Sequence, residues 1–397
     1  MLGCVGLPIY LHAPKYFSDT YNLSLAMLGV VMFVLRVLDF IQDPLLGRLS
    51  TLGMFSHRTL SIGASSSIIL GASGLFFVAA PISPVVWFAL SLVMLFTGYS
   101  LSVILIYAYS ANNFDETVQP IIARWREAGQ LIGICASAIA PTLFGVISHK
   151  PYVWMAGFLT AITVIATGLM YQHWLPNLKK SAQKFVFAEP DVRIRPYLLL
   201  AFTNAIPVAI TSTLFLFYVE HVIGSPDASG PLLLLFFGSA ALAVPIWSLL
   251  VKRYRIEWVL GLAMCASLIA FVFTFSLGEG DVAAFAVICL MTGVLTGADL
   301  TLLPMIFINS LQRNNVPSEE AFGYWSLSSK LALAMVVGAV LPGLELFGFD
   351  PSAPTEQGIY SLSVAYAIVP TILKFCAIFV LWYLMKHYRS NLQGANL

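Results

Sequence analysis

The second apolar segment of the chain contains the run Arg36-Val-Leu-Asp39-Phe-Ile-Gln42-Asp43-Pro44-Leu-Leu-Gly47. This run places one cation and two carboxylates inside an apolar segment, residues 23–49. On a helix, Arg36, Asp39 and Asp43 share one face, because residues three and four apart lie one turn from each other. A charge within a membrane-spanning helix costs at least about 2–3 kcal/mol, so such residues usually line a protein interior or a water-filled path. The run therefore predicts an ion or substrate path.

Asp39 and Asp43 are expected to share a cation. Two carboxylates one turn apart cannot both stay charged and unpaired at low dielectric, so one binds a proton or a cation lies between them. Carboxylate oxygens and the amide oxygen of the neighbouring Gln42 are ligands that hard cations prefer. The alternative is a structural ion pair between Arg36 and Asp39. That alternative is less favoured because it leaves the second carboxylate unexplained.

The composition is that of a polytopic membrane protein. The chain of 397 residues is 59% hydrophobic and only 10% charged, whereas about a quarter of the residues in a soluble domain are charged. The net charge of +1 and the scatter of basic residues over short loops exclude nucleic acid as a partner. The five cysteines stand alone in apolar runs, which excludes a disulfide framework or a zinc site. The sequence contains no hydrolase, zincin or P-loop motif, and we expect neither an enzyme nor a cofactor.

Twelve segments have the length of a membrane span, which is about 20 residues. The sequence predicts an all-α membrane protein with helices at 1–17, 23–48, 59–80, 84–109, 123–148, 152–174, 195–219, 230–251, 257–277, 282–311, 321–346 and 361–386. Fifteen of the twenty Lys and Arg residues fall on the side of the even-to-odd loops, and two fall on the other. This positive-inside bias predicts both termini in the cytoplasm, in the inner or plasma membrane.

The longest connection divides the chain into two sets of six helices. Residues 175–194 are polar and basic, and they separate an N-terminal half, residues 1–174, from a C-terminal half, residues 195–397. Two six-helix halves joined by a cytoplasmic loop are typical of the major facilitator fold, whose site lies between the halves near the bilayer midplane. We therefore predict that fold, in contact with the lipid bilayer and as a monomer.

Few other ionisable residues lie within or at the start of spans. Lys330 lies ten residues into the eleventh span and needs a carboxylate, for which the acids of the second span are natural partners. Lys374 is expected either to pair with Asp299 or to bind freed backbone carbonyls, in a coupling or a structural role. Asp299 is either a substrate or coupling contact or part of a buried pair. In the fourth span, Ser100 and Tyr107 share a face.

The order of these residues resembles one transporter family. The second-span run is similar to the signature of the glycoside-pentoside-hexuronide:cation symporters, the family of the melibiose permease. Shorter matches follow in the same order as in that family: Tyr16-Phe-Ser-Asp19, Arg124-Trp-Arg126-Glu127-Ala128, Gly297-Ala-Asp299 with Pro304, and Lys330. The resemblance covers most of the chain beyond the first span. It implies a major facilitator fold and symport of a small solute with a cation.

The resemblance also implies roles for individual residues. A Na⁺, Li⁺ or H⁺ site would be formed by Asp39, Gln42, Asp43 and the Ser100 hydroxyl, with Asp39 and Asp43 as the Na⁺ ligands and Lys330 nearby. Arg126 would correspond to the sugar-contacting arginine of the fifth helix. We accordingly expect a cation-coupled secondary transporter. Its expected substrate contacts are Tyr107, Arg126, Asp299 and Lys330, and its expected coupling or structural residues are Arg36 and Lys374.

Departures from the family pattern leave the substrate open. The fourth-helix aspartate that binds sugar in the melibiose permease aligns with Val103, and the tryptophan one turn later aligns with Tyr107. Acids that commonly follow the tenth-helix proline in the family are replaced by Asn309 and Gln312. A site built for hydroxyls discriminates through such groups. A sugar or glycoside is therefore the first expectation, a lysolipid or other amphiphile the alternative, and facilitated uniport or a non-transporting membrane sensor with the same fold the competing functions.

Overall fold

The structure, a computed structural model, describes residues 1–51, 55–174, 190–349 and 355–394. Helix accounts for 86% of the described residues, and these ranges contain no strand. The α-helices are α1 Leu2–Tyr21, α2 Leu25–Thr51, α3 His57–Phe76, α4 Pro84–Asn113, α5 Gln119–Ile147, α6 Pro151–Tyr171, α7 Arg195–His221, α8 Ser229–Leu250, α9 Ile256–Val272, α10 Val282–Asn314, α11 Ser318–Leu346, α12 Glu356–Ser363 and α13 Val369–Gly394. Short 3₁₀ turns precede α8 and follow α9, at Pro226–Ala228 and Phe273–Ser276, and a π-helical segment, Val364–Ile368, joins α12 to α13.

Ten helical stretches in the described ranges are long and apolar enough to cross a membrane. They are α3 to α11, two of them extended by the 3₁₀ turns, and the continuous stretch from α12 into α13. The two remaining long helices are α1, which contains Pro8 and Pro14, and α2, which contains the charged run. The protein is thus an all-α membrane protein in which each of the twelve predicted spans corresponds to a helical stretch.

Two departures from the predicted helices have local causes. Helix α1 continues to Tyr21, beyond the predicted end at residue 17, and stops where Asn22 adopts a left-handed conformation with φ 53°. Asparagine is one of the few residues that enter this conformation readily, which ends a helix. The twelfth span contains the π-helical segment just before Pro370. A wide turn accommodates a proline, which cannot donate to the carbonyl one turn earlier.

The chain forms two compact units. Unit 1 contains Met1–Phe114, Gly129–Pro190 and Asn315–Leu327, and unit 2 contains Asp115–Ala128, Asp191–Asn314 and Ser328–Leu397. The first part of α11 is thus counted with unit 1 and the first part of α5 with unit 2. The predicted linker, residues 175–194, lies largely outside the described residues, and the division into halves at that point stays a prediction.

In unit 1, small residues bring α3 and α4 into close contact. A Cβ added at Gly98 would lie 2.4 Å from the carbonyl oxygen of Ala64, and one added at Gly71 would lie 2.6 Å from the backbone nitrogen of Leu95. The α3–α4 interface therefore excludes even a methyl group at these positions. Buried apolar residues around Phe17, Ile68 and Leu92 complete the core of this unit.

We expect Gly98→Ala to destabilise unit 1 by about 1–3 kcal/mol, because the added methyl overpacks the interface. Gly63→Ala is the matched control on α3. A Cβ there meets nothing within 4 Å, and replacing a helical glycine by alanine usually stabilises by about 0.5–1 kcal/mol. Thermal unfolding of both variants in one detergent measures the difference. Equal melting temperatures would contradict this account of the interface.

In unit 2, α8 packs on α10 in the same way. A Cβ at Gly293 would lie 2.4 Å from the carbonyl oxygen of Phe236, and Trp247 Nε1 donates to the carbonyl of Val294 over 2.8 Å. On the other side of the unit, the ring of Tyr218 stacks on Tyr366 of the π-helical segment, with centroids 4.1 Å apart. These contacts hold α10 against α8, and α7 against the π-helical segment that leads into α13. Helices α7, α10 and α13 contain the polar residues described next.

Candidate functional site

Helix α2 presents a cluster of three polar side chains, Asp39, Gln42 and Asp43, which we call the carboxylate cluster. The three-residue and four-residue spacings place them on one face of the helix. Both carboxylates are buried: Asp39 is 6% exposed and Asp43 is 0% exposed. Burial of two carboxylates within one turn is costly unless each finds a donor or a cation.

The side-chain amide of Gln42, a residue of α2, links this helix to α4. Its Nε2 donates to Asp39 Oδ1 over 2.8 Å, and its Oε1 accepts from Thr97 Oγ1 over 3.0 Å. Ser100, one turn after Thr97 on α4, is 2% exposed. Carboxylate, amide and hydroxyl oxygens are therefore gathered where α2 faces α4, and these are the groups that bind hard cations.

Asp43 connects the carboxylate cluster to α11. Ser326 Oγ of α11 donates a short hydrogen bond to Asp43 Oδ2. The two helices approach closely because each has a glycine at the contact. A Cβ added at Gly47 would lie 2.5 Å from the carbonyl oxygen of Glu319, and one added at Gly323 would lie 2.8 Å from the carbonyl oxygen of Asp43. The part of α11 that belongs to unit 1 is therefore in direct contact with the buried acid.

The first turn of α11 is anchored by a polar network at the ends of α3 and α4. Asn112 Nδ2 donates to Glu319 Oε1 over 3.1 Å, and Ser318 Oγ donates to Asn112 Oδ1 over 2.8 Å. His57 Nε2 lies 3.2 Å from the same Glu319 oxygen. Glu319 is 7% exposed, whereas Asn112 is an exposed residue, so the network lies at the boundary between buried and exposed parts of the unit. These contacts hold α11 in the position that brings Ser326 to Asp43.

Unit 2 contains a second buried polar group, the triad of Asn204, Asp299 and Lys374. Lys374 Nζ forms a short ion pair with Asp299 Oδ2 and donates to Asn204 Oδ1 over 2.6 Å. The exposed fractions of the three residues are 5%, 9% and 7%. The sequence offered two partners for Lys374, a carboxylate or freed backbone carbonyls, and the structure shows the carboxylate.

A small cavity of about 90 Å³ borders the triad. Asp299 and Lys374 lie at its wall together with the hydroxyl-bearing Thr211, Thr292 and Thr296. Asp299 Oδ1 has no hydrogen-bond partner within the described ranges. The triad thus borders a small cavity whose wall contains both polar and apolar residues.

The remaining predicted residues lie in both units. Tyr107, on α4 in unit 1, packs on Phe322 with ring centroids 5.0 Å apart. Arg126 Nε, at the start of α5 in unit 2, donates to Glu127 Oε1 over 2.7 Å, and Lys330 is a half-buried residue of α11 in unit 2. The pairing of Lys330 with the second-span acids and a shared substrate pocket stay predictions.

Arg36, the cation of the opening run, has a backbone within α2, but its side chain lies outside the described part of the structure. Both roles expected for it, coupling and structural pairing with Asp39, stay predictions.

Three partners were not singled out by the sequence prediction: Thr97, Ser326 and Asn204. Helical spacing contains a signal for the first two, because Thr97 lies three residues before Ser100 and Ser326 lies four residues before Lys330. Thr97 therefore shares a helix face with Ser100, and Ser326 shares one with Lys330, both of which the sequence predicts as site residues. Asn204 is a polar residue in an otherwise apolar span, which is a weaker signal.

The comparisons with known proteins agree with this architecture. The family model for MFS/sugar transport proteins matches residues 1–385, and the chain belongs to this family. It is a major facilitator transporter of sugars or other small solutes, as the sequence resemblance predicted. No curated protein sequence matches the chain.

Several solved transporters have a similar fold. A bacterial homologue of the iron transporter ferroportin, outward-facing and with soaked iron, has a TM-score of 0.71 at 14% identity, with 96% of each chain covered. The Escherichia coli fucose:proton symporter FucP has a TM-score of 0.67 at 13% identity, covering 95% of this chain and 96% of its own. The human organic anion transporter MFSD10 has a TM-score of 0.62 at 15% identity, with coverages of 94% and 90%. At such identities the similarity establishes the fold and not the cargo.

Proposed function

We propose that the protein is a secondary transporter that couples the movement of a small solute to a monovalent cation, Na⁺, Li⁺ or H⁺, bound at the carboxylate cluster. The observation that supports this proposal most directly is the burial of Asp39 and Asp43 one turn apart, with the Gln42 amide between α2 and α4. A cation bound there would favour the charged form of both carboxylates. The bilayer is the inner or plasma membrane, with both termini cytoplasmic, in accord with the distribution of basic residues.

Coupling would pass through α11. When Asp43 accepts a cation or a proton, its oxygen becomes a weaker acceptor for the Ser326 hydroxyl, because part of its negative charge is neutralised. The contact between α2 and α11 then loosens, and Lys330 or Arg36 becomes able to rearrange. Binding of the cation thereby changes the helix that also carries Lys330, a proposed substrate contact. Alternating access requires a step of this kind, in which one ligand alters the equilibrium between two states.

The substrate would be contacted by Tyr107, Arg126, Asp299 and Lys330. Sugar hydroxyls are bound by charged and hydrogen-bonding groups of this kind. Val103 favours the second candidate, a lysolipid or other amphiphile. An apolar residue stands where the melibiose permease has its sugar-binding carboxylate, so an alkyl group would be better accommodated there.

Uptake into proteoliposomes tests the coupling. We expect an inward Na⁺ or H⁺ gradient to stimulate uptake of the transported solute at least severalfold, and to drive it above its equilibrium concentration. By reciprocity, the solute must tighten cation binding by the same factor by which the cation tightens solute binding. A panel of sugars, glycosides and lysolipids distinguishes the two substrate classes. Uptake that equilibrates at the same rate with and without either gradient would identify a uniporter, and failure of the whole panel to be taken up would favour a sensor.

A further inference from the structure

One end of unit 2 contains a cavity that the proposed transport cycle does not use. It has a volume of about 420 Å³, and its walls come from the first turn of α7, the turn between α8 and α9, and the later parts of α10 and α13. Pockets that bind small molecules have volumes of about 300–1,000 Å³. The turn between α8 and α9 contains Lys252, Arg253 and Arg255, of which Arg255 lines the cavity. This turn lies on the side that the basic residues assign to the cytoplasm.

The lining of this cavity includes two guanidinium groups. Arg313 Nη2 lies 2.9 Å from Glu116 Oε1, and Arg255 Nε lies 3.6 Å from Glu257 Oε2. The two arginine side chains are 42% and 46% exposed, and ion pairs at such exposure contribute little to stability. An anion can therefore compete with these carboxylates. Guanidinium groups bind phosphate with two parallel hydrogen bonds, which makes phosphate the best-matched anion.

Apolar side chains also line the cavity. Leu381, Leu384 and Met385 of α13 line it together with Ile306 of α10. A free inorganic anion would leave these side chains facing water, whereas a ligand with an acyl chain would cover them. The lining therefore favours an amphiphile with a phosphate at one end, held where the bilayer meets the aqueous phase.

The cavity lining also includes a residue with a buried, unsatisfied acceptor. Asn309 lines the cavity, and its Oδ1 has no hydrogen-bond donor within the described ranges of the chain. An unsatisfied buried acceptor is costly, so a ligand O–H or N–H that meets this atom after a rotation of the Asn309 side chain relieves that cost. A headgroup that has only phosphate oxygens does not satisfy Asn309, but one that also carries a hydroxyl does.

We propose that this cavity is a regulatory or stabilising site for phosphatidylglycerol. Its phosphate would bind to Arg255 and Arg313, a glycerol hydroxyl would donate to Asn309 Oδ1, and the start of an acyl chain would cover Leu381 and Leu384. All of these residues belong to unit 2. The site is distinct from the carboxylate cluster of unit 1, and its occupancy does not depend on the coupling mechanism proposed above.

Binding of dioctanoyl lipids to the purified full-length protein, measured by native mass spectrometry and by thermal stabilisation in detergent, tests the proposal. Phosphatidylglycerol and phosphatidylmethanol have the same charge and phosphate, but only the former has headgroup hydroxyls. We expect phosphatidylglycerol to bind about fivefold more tightly than phosphatidylmethanol, since the difference is one hydrogen bond of about 1 kcal/mol. Asn309→Leu should abolish that difference. Equal binding of the two lipids to the unchanged protein would overturn the assignment of Asn309.

The arginine contacts have their own control. Arg313→Gln should weaken phosphatidylglycerol binding about tenfold or more, as expected for a charge-assisted hydrogen bond. Arg193→Gln removes an arginine from a similarly exposed carboxylate pair outside the cavity, since Arg193 is 54% exposed beside Asp191, and should leave binding unchanged. Equal losses in the two variants would indicate a general charge effect and overturn the site. If sn-glycerol 3-phosphate without acyl chains stabilised the protein as much as the lipid, the ligand would be a soluble anion and the lipid proposal would be wrong.

Discussion

Replacement of Lys374 by methionine should destabilise unit 2 by about 3–5 kcal/mol, because it leaves the buried carboxylate of Asp299 without its cation. The ion pair of Lys374 with Asp299 and the hydrogen bond to Asn204 are both shielded from water. Loss of one partner from such a pair exposes the full cost of a buried charge, in contrast to loss of a surface pair, which costs about 0–1 kcal/mol. Thermal unfolding in detergent, followed by intrinsic fluorescence, measures the change.

The matched control is the double variant Lys374→Met/Asp299→Leu. Replacement of a whole buried pair by apolar residues is often neutral or stabilising, so the double variant should recover most of the stability lost by Lys374→Met. A double variant as unstable as the single one would show that the ion pair is not the cause of the loss. The double variant also distinguishes a structural role of Asp299 from a role in transport. If Asp299 contacts the substrate, we expect this stable variant to lose solute uptake. Unchanged uptake would assign the triad a purely structural role.

Asp43→Asn should abolish stimulation of uptake by Na⁺ or H⁺ while the protein stays folded. Asparagine can still accept the hydrogen bond from Ser326, so the contact with α11 is retained, but the negative charge that attracts a cation is lost. A ligand at 100 times its Kd stabilises a protein by about 2.7 kcal/mol. The cation-dependent rise in melting temperature of the unchanged protein should accordingly disappear in this variant.

Asp227→Asn is the control for this experiment, since Asp227 is an exposed carboxylate in the 3₁₀ turn before α8, outside the family matches and the proposed sites. It should keep both the stimulation and the cation-dependent stabilisation. Stimulation of Asp43→Asn to the level of the unchanged protein would refute the assignment of the cation site. A variant that no longer folds would be recognised by its melting curve without added cation.

The sequence was sufficient to predict the parts of the site that depend on spacing along one helix. The four-residue interval between Asp39 and Asp43 places them on one face whatever surrounds them, and the structure has both buried on α2. Lys374 and Asp299 could be matched because few ionisable residues lie within apolar spans, so a buried cation had few available partners. The family signature supplied the fold, which the helices and the solved relatives confirm.

Contacts that depend on how different helices pack could not be predicted in this way. Ser326 reaches Asp43 only because Gly47 and Gly323 let α2 and α11 approach, and no local pattern specifies that meeting. The cavity lined by Arg255 and Arg313 depends on packing as well, since these two residues are far apart in sequence and only the folding of unit 2 brings them to one cavity. The sequence around each of these two arginines is that of an ordinary solvated helix end.

The wide turn of residues 364–368 has a consequence for the direction in which Lys374 points. A π turn contains one residue more than an α turn, and each residue rotates the following side chains by about 100° around the helix axis. Deletion of a single residue from this segment would restore regular winding and swing the ammonium group of Lys374 away from Asp299 by more than a quarter of a revolution. The extra residue thus sets the direction in which every later side chain of this helix points. A single inserted residue is enough to turn Lys374 toward Asp299, whereas regular winding would point it elsewhere.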